Sequence, residues 1–349
     1  MGMAVLSVLV TNGGIKATCI KKMIRFLFIN LLLSLCAVSI AQDRSGITGA
    51  RDTSYSIAKE YKKHLKNYPY ITVVPDTVSD RIKEERNITY CKIGERELKI
   101  DVFYPADKRT KKRTATIFIH GGGWRSGDKA MHHQLMQRLV LLGYVCFTPE
   151  YRLSTEALYP AAVHDIKSSV RWVRKKAKKY NIDTAAIVVA GHSAGGQLAA
   201  LVGVTNDNFA FENVTGNGKF SSRVDAVIDV DGTLSFVQKE SSEINDRQKR
   251  GASSLWLGYT PAENIEIFSQ ASPLSHVGTQ SPPILFLNSS VERMHAGRDE
   301  FIKVLNTGNI YSGVKTFEGA PHAFCFFRPW FEPMVLCIDD FLKKIFTAK

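Results

Sequence analysis

The serine of the pentapeptide GHSAG, at residues 191–195, is placed where a side chain could act as a nucleophile. The apolar run IVVA precedes the pentapeptide, and the helix-forming run QLAAL follows soon after it. G-x-S-x-G between a strand and a helix predicts a tight turn that raises the serine hydroxyl above the strand end, because only very small neighbours let strand and helix approach. Glycine-rich turns also bind nucleotides, so the pentapeptide alone indicates either chemistry. The residues that accompany Ser193 decide between them.

A second motif, HGGGW at residues 120–124, follows the apolar run TIFI. Backbone N–H groups of such a loop form an oxyanion hole, which stabilises the negative oxygen of a tetrahedral intermediate. We expect the N–H groups of Gly122, Gly123 and Ala194 to converge on this oxygen, where the loss of one donor costs ~3 kcal/mol. A flexible turn is the alternative for the three glycines. We predict that His120 braces the loop through a side-chain hydrogen bond.

The third candidate is His322, which ends the stretch GAPH after the strand-like run VKTF. A serine hydroxyl is a poor nucleophile near neutral pH, so a base must accept its proton as it attacks an ester carbonyl. We predict this role for His322. His192 lies next to Ser193, but adjacent residues on a tight turn point apart, so we interpret His192 as a packing or polar support residue.

The sequence predicts neither a cofactor nor a metal. Acyl transfer through a serine forms an acyl-enzyme and needs no cofactor. The nine histidines show no metal-ligand spacing.

The elements that must position these residues follow from hydrophobic patterning. Strict alternation in LKIDVFY (98–104) predicts a strand with one solvated face, and Pro105 ends it. Apolar runs at 144–147, 187–190, 224–230 and 284–287 predict further strands, with helices over 131–142 and 159–179. This alternation predicts a mainly parallel sheet flanked by helices. Residues 234–270 interrupt it, as a small lid-like insertion over the active-site end of the sheet or as an ordinary surface excursion.

With these motifs in place, residues 85–346 resemble an α/β-hydrolase of the esterase/lipase group. More narrowly, they resemble secreted bacterial carbohydrate esterases that remove acetyl or related acyl groups from plant polysaccharides such as pectin and xylan. LKIDVFYP (98–105), EYRL (150–153) and PAAVHD (160–165) match the group's pattern in order and spacing. The resemblance implies the α/β-hydrolase fold, the chain order serine, acid, histidine, and an ester substrate. A serine amidase or peptidase, a general short-chain esterase or lipase, and a binding protein that has lost catalysis are the alternatives.

The resemblance also implies where the third member of a catalytic triad lies. Related enzymes place an aspartate a few residues after the strand equivalent to ILFL (284–287), but this chain continues NSSVERMHAGRD. Glu292 falls at the expected offset, and a glutamate can orient the imidazole and stabilise its protonated form. Asp299 is the competing acid, since an extended loop would carry it toward His322; otherwise it supplies charge to the first turn of a helix.

Aromatic residues are candidates for a substrate pocket. The segment FCFFRPWF (324–331) could stack on a sugar ring or an aromatic acyl group, or anchor the last helix as core. Phe324 represents the first interpretation. Trp124, beside the oxyanion loop, is expected to line an acyl or alcohol pocket.

The beginning of the chain predicts export. Lys21, Lys22 and Arg25 precede an apolar run at 26–38 that is short for a membrane span, and SIA at 39–41 offers a small-x-small cleavage site. We expect residues 1–41 to be a signal peptide, translation to start at Met23, and a secreted or periplasmic mature chain to begin at Gln42. Leu35 before Cys36 does not fit a lipoprotein signal. We predict no stable membrane span in the mature chain and no nucleic-acid partner.

Length and charge complete the sequence-based prediction. The 349 residues with 44% hydrophobic content predict one catalytic domain over 87–349, preceded by an N-terminal arm at 42–86. Removal of residues 1–41 takes away four basic residues and no acidic one, so the net charge falls from +13 to +9. This charge indicates an anionic partner such as a uronic-acid polymer, or solvated helix faces, as the dispersed lysines of 171–179 suggest. Cys325 and Cys337 could pair, which sequence alone does not establish.

Overall fold

An eight-stranded sheet forms the centre of the structure, a computed structural model that describes residues 41–107, 110–212, 217–241 and 250–346. The strands are β1 (Thr72–Val73), β2 (Ile82–Ile93), β3 (Arg96–Pro105), β4 (Arg113–Ile119), β5 (Val145–Pro149), β6 (Ile182–His192), β7 (Ala226–Val230), β8 (Ile284–Asn288), β9 (Ser312–Thr316) and β10 (Phe327–Arg328). The large sheet has the order β2-β3-β5-β4-β6-β7-β8-β9, and β1 pairs with β10 in a separate ribbon. Within the large sheet, β4 to β9 pair in parallel, whereas β2 pairs antiparallel with β3 and β3 pairs antiparallel with β5.

Helices cover both faces of this sheet. They are α1 (Ile57–Leu65), α2 (His133–Leu141), α3 (Ala161–Lys175), α4 (Ala177–Tyr180), α5 (Ala194–Val204), α6 (Ala252–Leu257), α7 (Ile265–Ala271), α8 (Arg298–Thr307) and α9 (Phe331–Phe346). The predicted mainly parallel sheet with flanking helices is confirmed. None of the helices in these ranges combines the length and the hydropathy of a membrane span.

Two hydrophobic cores hold the layers together. Successive side chains of a strand point to opposite faces, so in β4 Ile117 enters one core and Phe118 the other. Residues of α3 and α5 complete the first core, and residues of α2 and α9 complete the second. The strands β5, β7 and β8 are buried along their whole length, which explains their continuous apolar runs.

Strand register brings the predicted functional loops to one edge of the sheet. Ile119 at the end of β4 pairs with Gly191 of β6, and His192 pairs with Val230 at the end of β7. The chain leaves these parallel strands in the same direction, so the loops that begin at His120, Ser193 and residue 231 meet at their carboxyl ends. This edge is where ligands bind in open α/β sheets.

The predicted arm, residues 42–86, belongs to the same compact unit as the sheet, Gln42–Lys349. The predicted arm boundary at 86/87 falls inside β2, since strand pairing already begins at Ile82. Ahead of α1, the backbone runs beside the loop that follows HGGGW: the Tyr55 N–H donates to Ser126 Oγ at 2.7 Å, and the Gly127 N–H donates to the Asp52 carbonyl at 3.0 Å. The expected signal peptide covers residues 1–41. All of it except Ala41 lies outside the described residues, and so does the expected start at Met23.

The insertion after β7 carries α6 and α7 and packs on the oxyanion loop. Trp256 of α6 is fully buried, and its ring stacks on Trp124 at 4.8 Å between centroids with an interplanar angle of 7°. Gln197 of α5 links the same region, because it accepts a hydrogen bond from Trp124 Nε1 at 2.9 Å and donates to the Ala271 carbonyl at 2.7 Å. The insertion therefore packs against the oxyanion loop and helps to hold Trp124 in place.

A buried ionic cluster joins β3 to the segment after the oxyanion loop. Asp101 accepts hydrogen bonds from Lys129 Nζ at 2.7 Å, His133 Nε2 at 3.0 Å and the Asn87 backbone N–H at 2.7 Å. Burial alone would raise the pKa of Asp101, but these three hydrogen bonds outweigh it and lower the pKa from 3.8 to about 2. The folded protein is therefore stabilised by the ionised carboxylate.

We predict that Asp101→Asn lowers the free energy of unfolding at neutral pH by about 3 kcal/mol, since it leaves Lys129 buried without its counter-charge. The carboxylate's contribution is complete above its unfolded pKa of 3.8 and is lost as the pH falls through its folded pKa of about 2. The difference between variant and wild type should therefore shrink in urea denaturation between about pH 4 and pH 2. The control is Asp80→Asn, at an exposed position. A constant difference, or none at neutral pH, would contradict the assignment.

Candidate active site

Ser193 occupies a strained turn between β6 and α5. Its backbone angles are φ 58° and ψ −122°, and its N–H donates to the Val230 carbonyl at 2.8 Å. A Cβ on Gly191 would collide with the Gly195 carbonyl, which explains why the pentapeptide requires glycine where strand and helix cross. A non-glycine residue at positive φ is held only where its surroundings force it, and such residues cluster at functional sites.

The serine hydroxyl lies against the predicted base. Ser193 Oγ is 2.8 Å from His322 Nε2, and His322 Nδ1 is 2.9 Å from Asp231 Oδ2. A carboxylate only accepts, so Nδ1 carries the proton it donates to Asp231, and in the neutral ring Nε2 is left to accept from the serine hydroxyl. These three side chains form a continuous hydrogen-bonded relay of serine, histidine and acid.

The acid of this relay was not predicted from the sequence. Asp231 directly follows β7, has a left-handed φ of 54°, and its side chain is completely buried. Burial would raise the pKa of Asp231, but the hydrogen bonds from His322 and from Ser289, whose N–H donates to Oδ1 at 2.8 Å, lower it overall. The carboxylate is thus ionised beside His322 and able to stabilise a positive charge on the imidazole.

The expectations for Glu292 and Asp299 are wrong in this structure. Glu292 begins a short 3₁₀ turn, Glu292–His295, and is exposed to solvent. Asp299 lies in the first turn of α8, where it is 69% exposed and paired with Arg298 at 2.9 Å. Neither is hydrogen-bonded to His322. The Nδ1 atom of that ring is already bonded to Asp231, which follows the adjacent strand β7. The available signal was the aspartate-glycine pair at 231–232, directly after a buried strand.

The predicted oxyanion loop after β4 follows a tight path that depends on its glycines. Gly122 and Gly123 adopt positive φ angles of 116° and 59°, and the Gly122 carbonyl accepts from the Ser126 N–H at 3.0 Å. A Cβ on Gly122 would collide with the Ser126 carbonyl, so the turn depends on glycine there. Gly121 lies so close to the nucleophile that an added Cβ would be 3.0 Å from Ser193 Cβ. On the other side Ala194 begins α5, where first-turn N–H groups have no acceptor within the helix.

His120 makes the bracing hydrogen bond that the sequence predicts. Its Nδ1 lies 2.8 Å from the Gly121 carbonyl, and its own carbonyl accepts from the Tyr151 hydroxyl at 3.0 Å. The ring also stacks on Tyr151 with centroids 4.6 Å apart. Burial lowers the pKa of His120 to about 4, so the imidazole is neutral near neutral pH and the loop carries no extra charge.

The aromatic pocket predictions are corrected by burial. Phe324 is completely buried in the core beside Phe317, with ring centroids 4.9 Å apart. Trp124 is 6% exposed and is held between Gln197 and the stacked ring of Trp256. Both residues are packing residues of the cores, because they lie in continuous apolar clusters rather than at the loop surface.

The described part of the chain contains neither a disulfide bond nor a cluster of metal ligands. The described cysteines, Cys91, Cys146, Cys325 and Cys337, are all free, so the suggested pairing of Cys325 with Cys337 is absent. Within the described ranges, no group of three or more histidine, cysteine or acidic side chains could hold a metal ion.

The fold and the relay together define an α/β-hydrolase of the esterase/lipase group. The BD-FAE family model matches residues 100–299, and the chain belongs to that family. Esterase LipC of Mycobacterium tuberculosis is 31% identical over 192 residues, which cover 55% of this chain and 47% of LipC. The chain spans about half the length of the curated relatives that it matches first.

Solved structures show the same fold. A truncated carbohydrate esterase from gut microbiota has a TM-score of 0.65 and 23% identity, covering 77% of this chain and 99% of that one. Esterase 2 of Thermogutta terrifontis with propionate bound has a TM-score of 0.62 and 26% identity, covering 76% of this chain and 95% of that one. The predicted resemblance to the esterase/lipase group is confirmed.

We predict that Asp231→Asn lowers kcat about a thousandfold or more, because an amide neither stabilises the protonated imidazole nor ensures its correct tautomer. Glu292→Gln and Asp299→Asn should each change kcat by less than about twofold, since surface changes away from a site have small effects. The measurement is steady-state hydrolysis of a short nitrophenyl ester, with thermal unfolding to confirm that each variant is folded. A large loss in Glu292→Gln with an active Asp231→Asn would reverse the assignment.

Proposed function

We propose that this protein is a serine carboxylic-ester hydrolase that removes short acyl groups from carbohydrate through an acyl-enzyme on Ser193. The observation that carries the proposal is the unbroken relay from Ser193 Oγ through His322 to the buried Asp231, with distances of 2.8 and 2.9 Å. Each group has the environment that its role requires: a hydroxyl on a strained turn, an imidazole in contact with it, and an ionised carboxylate behind.

In the acylation step, Ser193 Oγ forms a bond with the ester carbonyl carbon while its proton passes to His322 Nε2. The imidazolium that forms is stabilised by Asp231, which stays ionised. The carbon–oxygen bond to the alcohol then breaks, and the alcohol leaves with the proton from His322. The acyl group remains on Ser193 as an ester.

In the deacylation step, water takes the place of the alcohol. His322 accepts the proton of this water as its oxygen attacks the acyl carbon, and Ser193 leaves with that proton as the free hydroxyl. The carboxylic acid is released. In both steps the N–H groups of Gly122, Gly123 and Ala194 receive the oxyanion, and each is worth ~3 kcal/mol there.

The proximity of the oxyanion loop to the nucleophile supports this role. Gly121 packs directly on Ser193. The positive φ angles of Gly122 and Gly123 give the loop a tight turn next to the nucleophile. Preorganised donors of this kind cost no rearrangement during the reaction, which is why they stabilise a transition state more than they stabilise the substrate.

The proposed substrate class is supported by the residues around His322 and by the similar solved structures. His64 and Glu60 of α1 are 3.2 Å apart, and His64 lies near enough to His322 that their mutual repulsion adds to the effect of burial in lowering the pKa of His64. Polar side chains close to His322 are compatible with an alcohol rich in hydroxyl groups. The esterase with bound propionate supports a short acyl group, and the carbohydrate esterase from gut microbiota supports a sugar as the alcohol.

We predict that the protein with residues 1–41 removed releases acetate from acetylated xylan or pectin and hydrolyses nitrophenyl acetate faster than the octanoate. Ser193→Ala should abolish both activities, because the acyl-enzyme cannot form. The matched control is Ser269→Ala, since the Ser269 hydroxyl is hydrogen-bonded to that of Ser275 at 3.1 Å and not to any residue of the relay.

Three outcomes would separate the alternatives. Activity on small esters alone would contradict the carbohydrate assignment and keep the serine hydrolase. Hydrolysis of nitroacetanilide but not of esters would indicate an amidase. The absence of any Ser193-dependent activity, and of labelling by a fluorophosphonate, would contradict the proposed function as a whole.

We also propose that residues 1–41 direct export, which would bring the enzyme to extracellular or periplasmic carbohydrate. Three basic residues, an apolar run and the small residues before Gln42 support this. The sequence of the N-terminus of secreted protein is predicted to begin at Gln42, and a mature chain that retains residues 11–20 would contradict both the cleavage site and the start at Met23.

A further inference from the structure

The residue before the nucleophile contacts the residue that serves as its base. His192 Nε2 lies 2.9 Å from the backbone carbonyl oxygen of His322, and the two imidazole rings are 4.9 Å apart. His192 is completely buried. A buried hydrogen bond that joins two functional loops fixes the position of one relative to the other.

The tautomer of His192 follows from its partner. A carbonyl oxygen only accepts hydrogen bonds, so Nε2 must carry the proton. Nδ1 is buried and makes no hydrogen bond in the structure, which is tolerable for a lone pair and costly for a second N–H. Burial, with the neighbouring His322, lowers the pKa of His192 to about 3, so the ring stays neutral in this one tautomer across the pH range of ester hydrolysis.

The contacts around His322 form a closed ring. Ser193 holds the side chain of His322 through its Nε2 at 2.8 Å, and His192 holds the main chain of the same residue through its carbonyl oxygen. His192 and Ser193 are joined by a peptide bond. Two neighbouring residues of one turn therefore hydrogen-bond to the ring and to the backbone carbonyl of His322. These two contacts restrict rotation of the His322 side chain relative to its main chain.

The turn itself is restrained from several sides. His192 ends β6 and pairs with Val230 of β7, and its ring contacts Phe326 at 5.4 Å and His132 at 5.9 Å between centroids. An added Cβ on Gly121 would lie 3.2 Å from His192 Nδ1, so the oxyanion loop also lies against this ring. The donor that holds His322 is thus itself fixed by the sheet and by the oxyanion loop.

We propose that His192 is a positioning residue for the proposed hydrolysis, which sets the distance between Ser193 Oγ and His322 Nε2 by donating a hydrogen bond to the His322 carbonyl. The inference rests on the proposed function, because it concerns the same relay. It assigns to the second residue of the GHSAG turn a role in the geometry of the base, which adjacency to the nucleophile alone would not give.

The test compares three substitutions that separate the donor from the volume of the ring. His192→Phe keeps a ring and removes the donor. His192→Gln places an amide N–H at the same distance along the side chain as Nε2, whereas His192→Asn places it one bond shorter, near the position of Nδ1. His276→Phe is the matched control, since His276 Nε2 also bonds a backbone carbonyl, that of Gln270 at 2.8 Å, on the protein surface.

We expect His192→Phe and His192→Asn to lower kcat on nitrophenyl acetate by about 10- to 100-fold with KM nearly unchanged, because a displacement of about 1 Å can cost 100-fold. His192→Gln should recover most of the lost rate. The second-order rate of labelling by a fluorophosphonate should follow the same order, since it reports the reactivity of Ser193 without a substrate pocket. Rates are normalised to the fraction of sites that become labelled at completion.

A merely structural role for His192 predicts a different pattern. The melting temperature and the labelled fraction would then fall in all three variants, while kcat per labelled site stayed at the wild-type value, and this would overturn the proposal. Equal rates for His192→Gln and His192→Asn would overturn it too, and that comparison holds even if His192→Phe does not fold. Failure of the wild-type protein to hydrolyse esters or to label at Ser193 would instead refute the proposed function.

Discussion

The buried carboxylate of Asp231 is the constraint on which the site depends. Moving an ionised carboxylate out of water costs several kcal/mol unless hydrogen bonds and opposite charge compensate. Here the compensation comes from two different loops: the ring of His322 donates to one oxygen, and the Ser289 N–H donates to the other. The charge can be buried only when the ends of β7 and β8 and the loop after β9 come together. The hydrogen bonds that the Asp231 carboxylate requires therefore also bring His322 to its place in the site.

The oxyanion loop meets a similar requirement without charge. Its path depends on glycines with positive φ, on hydrogen bonds of His120, and on support from behind by the insertion with Trp256 and by residues 52–55. Segments far apart in the sequence therefore hold a short loop in place. This explains why the aromatic residues nearest to the motif, Trp124 above all, are buried in packing and do not line a pocket.

The parts of the site that sequence reasoning could predict are those specified by neighbouring residues. Ser193 and the oxyanion loop are found from short motifs, because a strained turn restricts the residue types on both sides of it. The location of His322 follows from its place after a strand. The parallel sheet follows from the alternation of apolar runs and helical patterns.

The acid could not be found in this way, since two neighbouring strands end at the same edge and either can supply a carboxylate. Asp231 follows β7 and Glu292 follows β8, and only the three-dimensional packing shows which one His322 contacts. The start of β2 at Ile82 was missed for a related reason: the first half of that strand is largely exposed and polar, so it lacks an apolar pattern. Long-range pairing determines both features.

Proton NMR spectroscopy tests the central claim, the hydrogen bond from His322 to Asp231, most directly. A proton held between an imidazole nitrogen and a buried carboxylate is protected from water and strongly deshielded. The structure predicts such a resonance, downfield of the amide region, in the wild-type protein and in Glu292→Gln, and its loss in Asp231→Asn. A resonance that survives in Asp231→Asn and disappears in Glu292→Gln would contradict the account.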